Sequence, residues 1–173
     1  MNSLIGDIEI FVGAAQKQAW AASGKNFCTW GFMARGDGTE QFITINGSGA
    51  PATTIERAQL NGVLLAAKWA KKFKNIDQKV YIFTPYEKLS QNYGSELKSW
   101  PKRGWYTYYG ERIHNEDLWS EIIQLAKRKD IFVCAPITDV HNTWINKVNE
   151  YAKEAVAAYR KTWKGEINGQ SII

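Results

Sequence analysis

The stretch Val80–Leu89, VYIFTPYEKL, decides how the chain folds. Val80 to Phe83 are β-branched or aromatic, as in a buried strand; Thr84 and Pro85 break the run, and the polar residues after them suit a helix. A strand passing directly into a helix is the local unit of an open α/β sheet, and such sheets place their sites at that corner. Metal or acid–base chemistry there calls for a carboxylate just after the strand. Position 85 is instead a proline, with no ionisable group and no backbone N–H.

Upstream, TTIERAQLNGVLLAAKWAKKF predicts a long helix. Thr53 and Thr54 suit its N-cap, Leu60, Val63, Leu64, Ala67 and Trp69 recur near helical spacing, and lysines close its last turn. Ahead of it, DIEIFVGA from Asp7, CTWGFMAR from Cys28 and QFITI from Gln41 read as a three-stranded meander, with SGKN, GDG and NGSGAP as turns. Downstream the pattern predicts a short helix over Glu87 to Tyr93, a basic aromatic stretch, a helix NEDLWSEIIQLAKR, a fifth strand DIFVCA and a closing helix from Thr143 to Trp163. That last helix puts Trp144, Val148, Tyr151, Ala155 and Tyr159 on one face, with Lys147, Lys153, Arg160 and Lys161 elsewhere. The tail GEINGQSII is expected to fray.

At 173 residues, 45% hydrophobic and 23% charged, the chain is expected to form one soluble domain with a core over about residues 7–163. The apolar runs are short and the first residues lack a basic, cleavable leader, so an intracellular, cytoplasmic protein is expected. Cys28 and Cys134 lie in strand-like apolar runs and read as buried free thiols rather than a disulfide or a zinc site. The formal charge of +5 tilts the partners toward anions without requiring them.

The order of elements, three strands, a long helix, a fourth strand, helices, a fifth strand and a final helix, is that of the ribonuclease H fold. The residues resemble that family as well. SWPKRGWYTYYGERIHNEDLW is similar to the stretch of bacterial ribonucleases HI in which a Trp, a Lys-Arg-Gly-Trp run and Asn-x-Asp-Leu-Trp form the basic protrusion and enter the next helix. IEIFVGAA resembles the first strand, TTIERAQLNGVLLAAKWA the first long helix, VYIFTPYEKL the fourth strand and its turn, and NKVNEYAKEAV the last helix, so the likeness spans roughly residues 8–157. It implies an α/β fold with a five-stranded mixed sheet flanked by helices.

Ribonucleases H cut the RNA strand of an RNA–DNA hybrid with two magnesium ions held by four carboxylates. The resemblance sets Gly13, Gln59, Pro85 and Asn149 at those positions, and none is an acid. Mg²⁺ needs anionic oxygens to offset its dehydration, so the reading is a pseudoenzyme with no catalytic residue, no metal ligand and no cofactor, although the family implies magnesium. In the family's mobile loop before the last helix, ITDVHNTW puts Asp139 at the usual ten-residue offset of the family's histidine and His141 two residues later.

Other acids lie near these positions: Glu9, Glu56, Glu87, Asp139 and Glu150. Glu9 is about 13 Å along the strand from Gly13 at ~3.3 Å per residue, and Glu56, at a helix start, more simply complements the macrodipole. For nucleic acid, Lys98, Trp100, Lys102, Arg103 and Trp105 interleave cations with aromatic faces, and Thr54 is what remains of the family's hybrid-reading cluster, whose asparagines match Ile55 and Glu56. Lys68, Lys71, Lys72 and Lys74 read as an ordinary solvated helix face. With eight tryptophans and eight tyrosines in the chain, the aromatic residues Trp105, Tyr106, Tyr108 and Tyr109 also suit a protein partner. Three readings stay open: a module binding hybrid or duplex without cutting it, a structural subunit of a replication or reverse-transcription assembly, and an active nuclease with relocated ligands.

Overall fold

Strand β1 (Ile8–Gln18) is the axis of the sheet. In the computed structural model, which describes residues 6–18, 26–36 and 42–164, β1 pairs antiparallel with β2 (Asn26–Gly36) and parallel with β4 (Val80–Phe83). β2 in turn pairs antiparallel with β3 (Phe42–Thr53), and β4 pairs parallel with β5 (Ile131–Cys134). The order is β3-β2-β1-β4-β5, the five-stranded mixed sheet expected. Parallel neighbours need crossovers. These are α1 (Ile55–Phe73) between β3 and β4, and α2 (Glu87–Asn92), α3 (Ser95–Ser99) and α4 (Glu116–Ala126) between β4 and β5. Helix α5 (Asp139–Lys164) follows β5.

Alternation along β1 builds a core on each face. Ile8, Ile10 and Val12 pack with Leu60, Val63, Ala66, Ala67 and Ala70 of α1 and with Leu118, Trp119 and Ile122 of α4. Phe11 points the other way, to Met33, Phe83, Ile145 and Val148, so α5 covers the second face. The alanines bring α1 close to the sheet, and Gly62 brings it closer: a Cβ there would stand 2.7 Å from Val12 Cγ1. Thr54 caps α1, its hydroxyl accepting the Arg57 N–H at 3.2 Å.

Two expectations need correction. NGSGAP is no turn, because Asn46–Pro51 continue β3 against β2. Glycines make that possible: Gly31 faces Gly47, and a Cβ on Gly31 would meet Asn46 O at 2.7 Å. Pro51 is tolerated because β3 is an edge strand, where a missing N–H need not break a ladder. The basic aromatic stretch is entered from α3 and carries a 3₁₀ turn over Pro101–Arg103. Helix α5 starts at Asp139, four residues before Thr143, since Thr138 Oγ1 accepts the His141 N–H at 3.2 Å and caps it there. Its buried stripe is Ile145, Val148, Ala152 and Val156, while Trp144 is half-buried and Tyr151 exposed. The side chains of Tyr159, Arg160 and Lys161, the tail GEINGQSII and most of SGKN and GDG lie outside the described residues. Both cysteines are free, Cys28 buried and Cys134 half-buried.

Candidate functional site

The β1–β4 ladder stops at the pair Phe11–Phe83, so beyond Phe11 the β4-facing backbone of β1 has no strand partner. Helix α5 supplies one. Asn149 Oδ1 accepts the Ala14 N–H at 3.0 Å, and the helix lies so close that a Cβ on Gly13 would stand 2.6 Å from Asn149 Oδ1, 2.9 Å from Asn149 N and 2.9 Å from Val148 Cγ1. A side chain at position 13 would occupy space that α5 already fills. Gln59 is half-buried one turn before Gly62, and its Oε1 is buried without a hydrogen-bond partner among the described residues. Pro85 is exposed after Thr84, whose hydroxyl accepts the Tyr86 N–H at 3.2 Å.

The structure thus brings Gly13 and Asn149 into contact and sets Pro85 at the solvent-facing end of β4. As a magnesium site these residues do not fit: Gly13 and Pro85 offer no side-chain oxygen, Asn149 Oδ1 is engaged by a backbone N–H, and Gln59 Oε1 is a single neutral carbonyl. Among the described residues no three His, Cys, Asp or Glu side chains are grouped to hold a metal ion.

Of the nearby acids, Glu9 is already committed. Both Nε and Nη2 of Arg35, its neighbour across the β1–β2 ladder, lie 3.2 Å from Glu9 Oε1. His141 Nε2 lies 3.5 Å from Glu9 Oε2, while His141 Nδ1 accepts the Ile137 N–H at 3.1 Å, so the ring's proton sits on the nitrogen facing the carboxylate. The His141 ring lies on Phe83, centroids 4.0 Å apart, and the Arg35 guanidinium lies 5.3 Å from the Phe11 centroid. His141 therefore points inward as part of a mostly buried charged cluster under the first turn of α5. Glu56, Glu87, Asp139 and Glu150 are exposed.

The expected nucleic-acid residues divide. Trp100 is only 3% exposed and meets Trp119 edge-on at 4.9 Å, so it is a core residue with no face free for a base. Trp105 is half-buried against the same core, its left-handed backbone (φ 67°) fixed by an N–H bond to Trp100 O at 2.9 Å. Lys98, Lys102 and Thr54 are exposed, although the Thr54 hydroxyl oxygen already serves as the α1 cap. Arg103 donates from Nη2 to Glu96 Oε1 at 2.8 Å and from Nε to Tyr106 O at 3.2 Å, with its guanidinium 3.8 Å from the Tyr108 ring centroid. Lys68, Lys71 and Lys72 are exposed, and Lys74 pairs with Asp130 at 3.2 Å.

Between the start of α1, the β4–α2 corner and the start of α4 lies a cleft of about 550 Å³ lined by Thr54, Glu56, Tyr86, Lys88, His114, Asn115 and Trp119. Arg57 ties its two walls, donating to Asp117 Oδ1 at 2.9 Å and Asn115 Oδ1 at 3.2 Å. The Arg57–Asp117 hydrogen bond holds the Asp117 carboxyl down at about 2. Burial, and then the nearby Glu56 charge, push the Tyr86 hydroxyl up to about 12, leaving it protonated at neutral pH. Tyr86, Lys88, His114 and Asn115 were not singled out from sequence; they come from separate segments, and their shared signal is position at element starts.

The chain is 30% identical over 127 residues to the ribonuclease H of Chlorobium phaeovibrioides, a match covering 73% of this chain and 83% of the relative. It belongs to the ribonuclease H family. The ribonuclease H of Moorella thermoacetica is 28% identical over 116 residues, 66% of this chain and 74% of that protein. No protein-family model matches the chain. Among solved structures, the PFV RNase H domain superposes with a TM-score of 0.73 at 16% identity, over 88% of this chain and 95% of that one. The foamy viral protease-reverse transcriptase in complex with RNA/DNA hybrid gives 0.72 at 16% identity, over 86% of this chain and 20% of that one. LC9-RNase H1, a type 1 RNase H with the type 2 active-site motif, gives 0.67 at 20% identity, over 91% and 74%. At these identities the structural likenesses show the ribonuclease H fold.

Proposed function

We propose that the protein holds nucleic acid, with RNA–DNA hybrid as its first candidate ligand, and does not hydrolyse it. The observation that carries the reading is the closure of α5 on β1. Position 13, which the family resemblance equates with a metal-binding aspartate, is a glycine with no room for a Cβ, and Asn149, equated with another, is spent on the Ala14 N–H. Gln59 and Pro85 add no anionic oxygen. An enzyme with relocated ligands finds little support, because Glu9 already neutralises Arg35. Hybrid is favoured as ligand because two proteins of similar fold, the foamy viral protease-reverse transcriptase and LC11-RNase H1, are known in complex with RNA/DNA hybrid. On this chain Lys98 and Lys102 present cations at the protrusion, and Thr54 and Lys88 offer donors at the cleft. Glu56 in the same cleft works against phosphate and holds the affinity down.

The test is fluorescence anisotropy with labelled hybrid, duplex DNA and single strands from about 50 to 200 mM salt, where counterion release is readable, beside a cleavage assay with Mg²⁺ or Mn²⁺. Salt-sensitive binding with no cleavage above background is expected. Cleavage that survives extensive purification but vanishes in Glu56→Ala or Asp139→Ala protein would overturn the non-hydrolytic half. No binding at the lowest salt would leave a protein-docking subunit as the surviving reading.

A further inference from the structure

Past the 3₁₀ turn, the protrusion ends in a tight turn from Thr107 to Glu111. The Glu111 carbonyl accepts the Thr107 N–H at 2.8 Å, the Gly110 N–H bonds back to Thr107 O at 3.0 Å, and the Thr107 hydroxyl accepts the Glu111 N–H at 3.2 Å. Gly110 closes it with φ 80°, a conformation a side chain rarely adopts, and the Tyr106–Arg112 bridge ties its stem. This well-bonded turn holds two tyrosines out in solvent, Tyr108 at 76% and Tyr109 at 93% exposure. Tyr108 is braced as well. The Arg103 guanidinium lies 3.8 Å from its ring centroid, and Arg103 is itself fixed by Glu96 and Tyr106 O. One ring face is therefore covered by a planar cation, and the exposure of the rest leaves the opposite face to solvent.

We propose that this turn is a stacking site for an unpaired nucleobase, so that the preferred ligand is a duplex or hybrid carrying a single-stranded extension. The inference rests on the nucleic-acid reading above and names the ligand class more narrowly. Its physical basis is shape. Bases inside a duplex are already stacked and offer no face to a ring on a convex tip, whereas an unpaired base offers one whatever its identity. Tyrosines also suit a protein interface, but the core of such an interface is depleted of charge. Here the tyrosines stand between polar Thr107 and Glu111, and although Arg112 is paired with Glu116 at 3.0 Å, exposed Lys98 and Lys102 earlier in the same stretch favour a polyanion.

The experiment compares, at one salt concentration, a blunt hybrid with the same hybrid extended by a single strand of about five nucleotides, within the span such binding surfaces cover, using wild type, Tyr108→Ala and Tyr108→Phe. A 2-aminopurine in the extension serves as a second readout. Wild type is expected to bind the extended ligand about tenfold more tightly, the order of one stacked base, and to quench the probe. Tyr108→Ala should lose both effects while binding blunt hybrid as wild type does, and Tyr108→Phe should keep them. Equal affinity of wild type for blunt and extended ligands, or an equal loss on both with Tyr108→Ala, would overturn the stacking site while leaving hybrid binding intact. Absence of binding to every ligand would sink the functional reading and this inference together.

Discussion

The β1–α5 centre and the basic protrusion are treated in opposite ways by the same chain. At the centre, most polar groups are consumed internally: Asn149 satisfies a backbone N–H, Glu9 is held between Arg35 and His141, and no free volume remains beside Gly13, while Gln59 Oε1 alone of the four positions' oxygens is left buried and unbonded among the described residues. On the protrusion, side chains brace one another and still face solvent, as Tyr108 does over Arg103. A region whose donors and acceptors are paired within the fold contributes stability and no ligand. On the reading proposed above, a rigid region with uncovered cations and rings offers a ligand surface at little cost in stability. Substitutions should therefore separate cleanly, with stability effects at the centre and binding effects at the protrusion.

The largest effect is expected from Arg35→Met. It leaves Glu9 buried without its cation, and removing one partner of a buried pair costs about 3–5 kcal/mol, to be read from urea denaturation with an unchanged m-value. A loss below about 1 kcal/mol would mean that water reaches Glu9 and the centre is not sealed. Gly13→Asp comes next. Overpacking against Asn149 and Val148 should cost about 3 kcal/mol, seen as a melting temperature roughly 10 °C lower for a chain of this size, with no metal binding gained. A variant as stable as wild type that binds Mg²⁺ would break the comparison at its root. Asn149→Leu strands the Ala14 N–H and should cost about 1–3 kcal/mol.

Pro85→Asp marks the boundary between the two behaviours. The position is exposed, so stability should move by less than about 0.5 kcal/mol, and one carboxylate without neighbours should give no tight Mg²⁺ signal in titration calorimetry. Smallest in stability, and largest in binding, is Lys98→Ala with Lys102→Ala. The melting temperature should hold, while the salt dependence of hybrid binding flattens by up to about 0.9 log–log units for each phosphate no longer neutralised. A pair substitution that leaves that slope unchanged would remove these lysines from the interface.

Much of this was legible in the residues. The two-residue period of IEIFV, the three-to-four-residue period of α1, the Thr54 cap and the Thr84–Pro85 break are local signals, and local signals set element type and order. Together with the resemblance to ribonucleases H they implied the fold, whose strand order the structure shows, and the residues Gly13, Gln59, Pro85 and Asn149 leave no carboxylate at those four positions. What only the tertiary structure decided concerns groups brought together from distant segments. Asn149 reaches Ala14 across 135 residues, His141 turns inward to Glu9, and Trp100 is drawn into the core against Trp119 although Lys98 and Lys102, two residues to either side, are exposed. Spacing along a chain reports which face of an element a residue occupies. Whether that face meets solvent, a backbone N–H or another ring depends on how closely a remote helix packs, and that was set by glycines and alanines whose small size carries no pattern of its own.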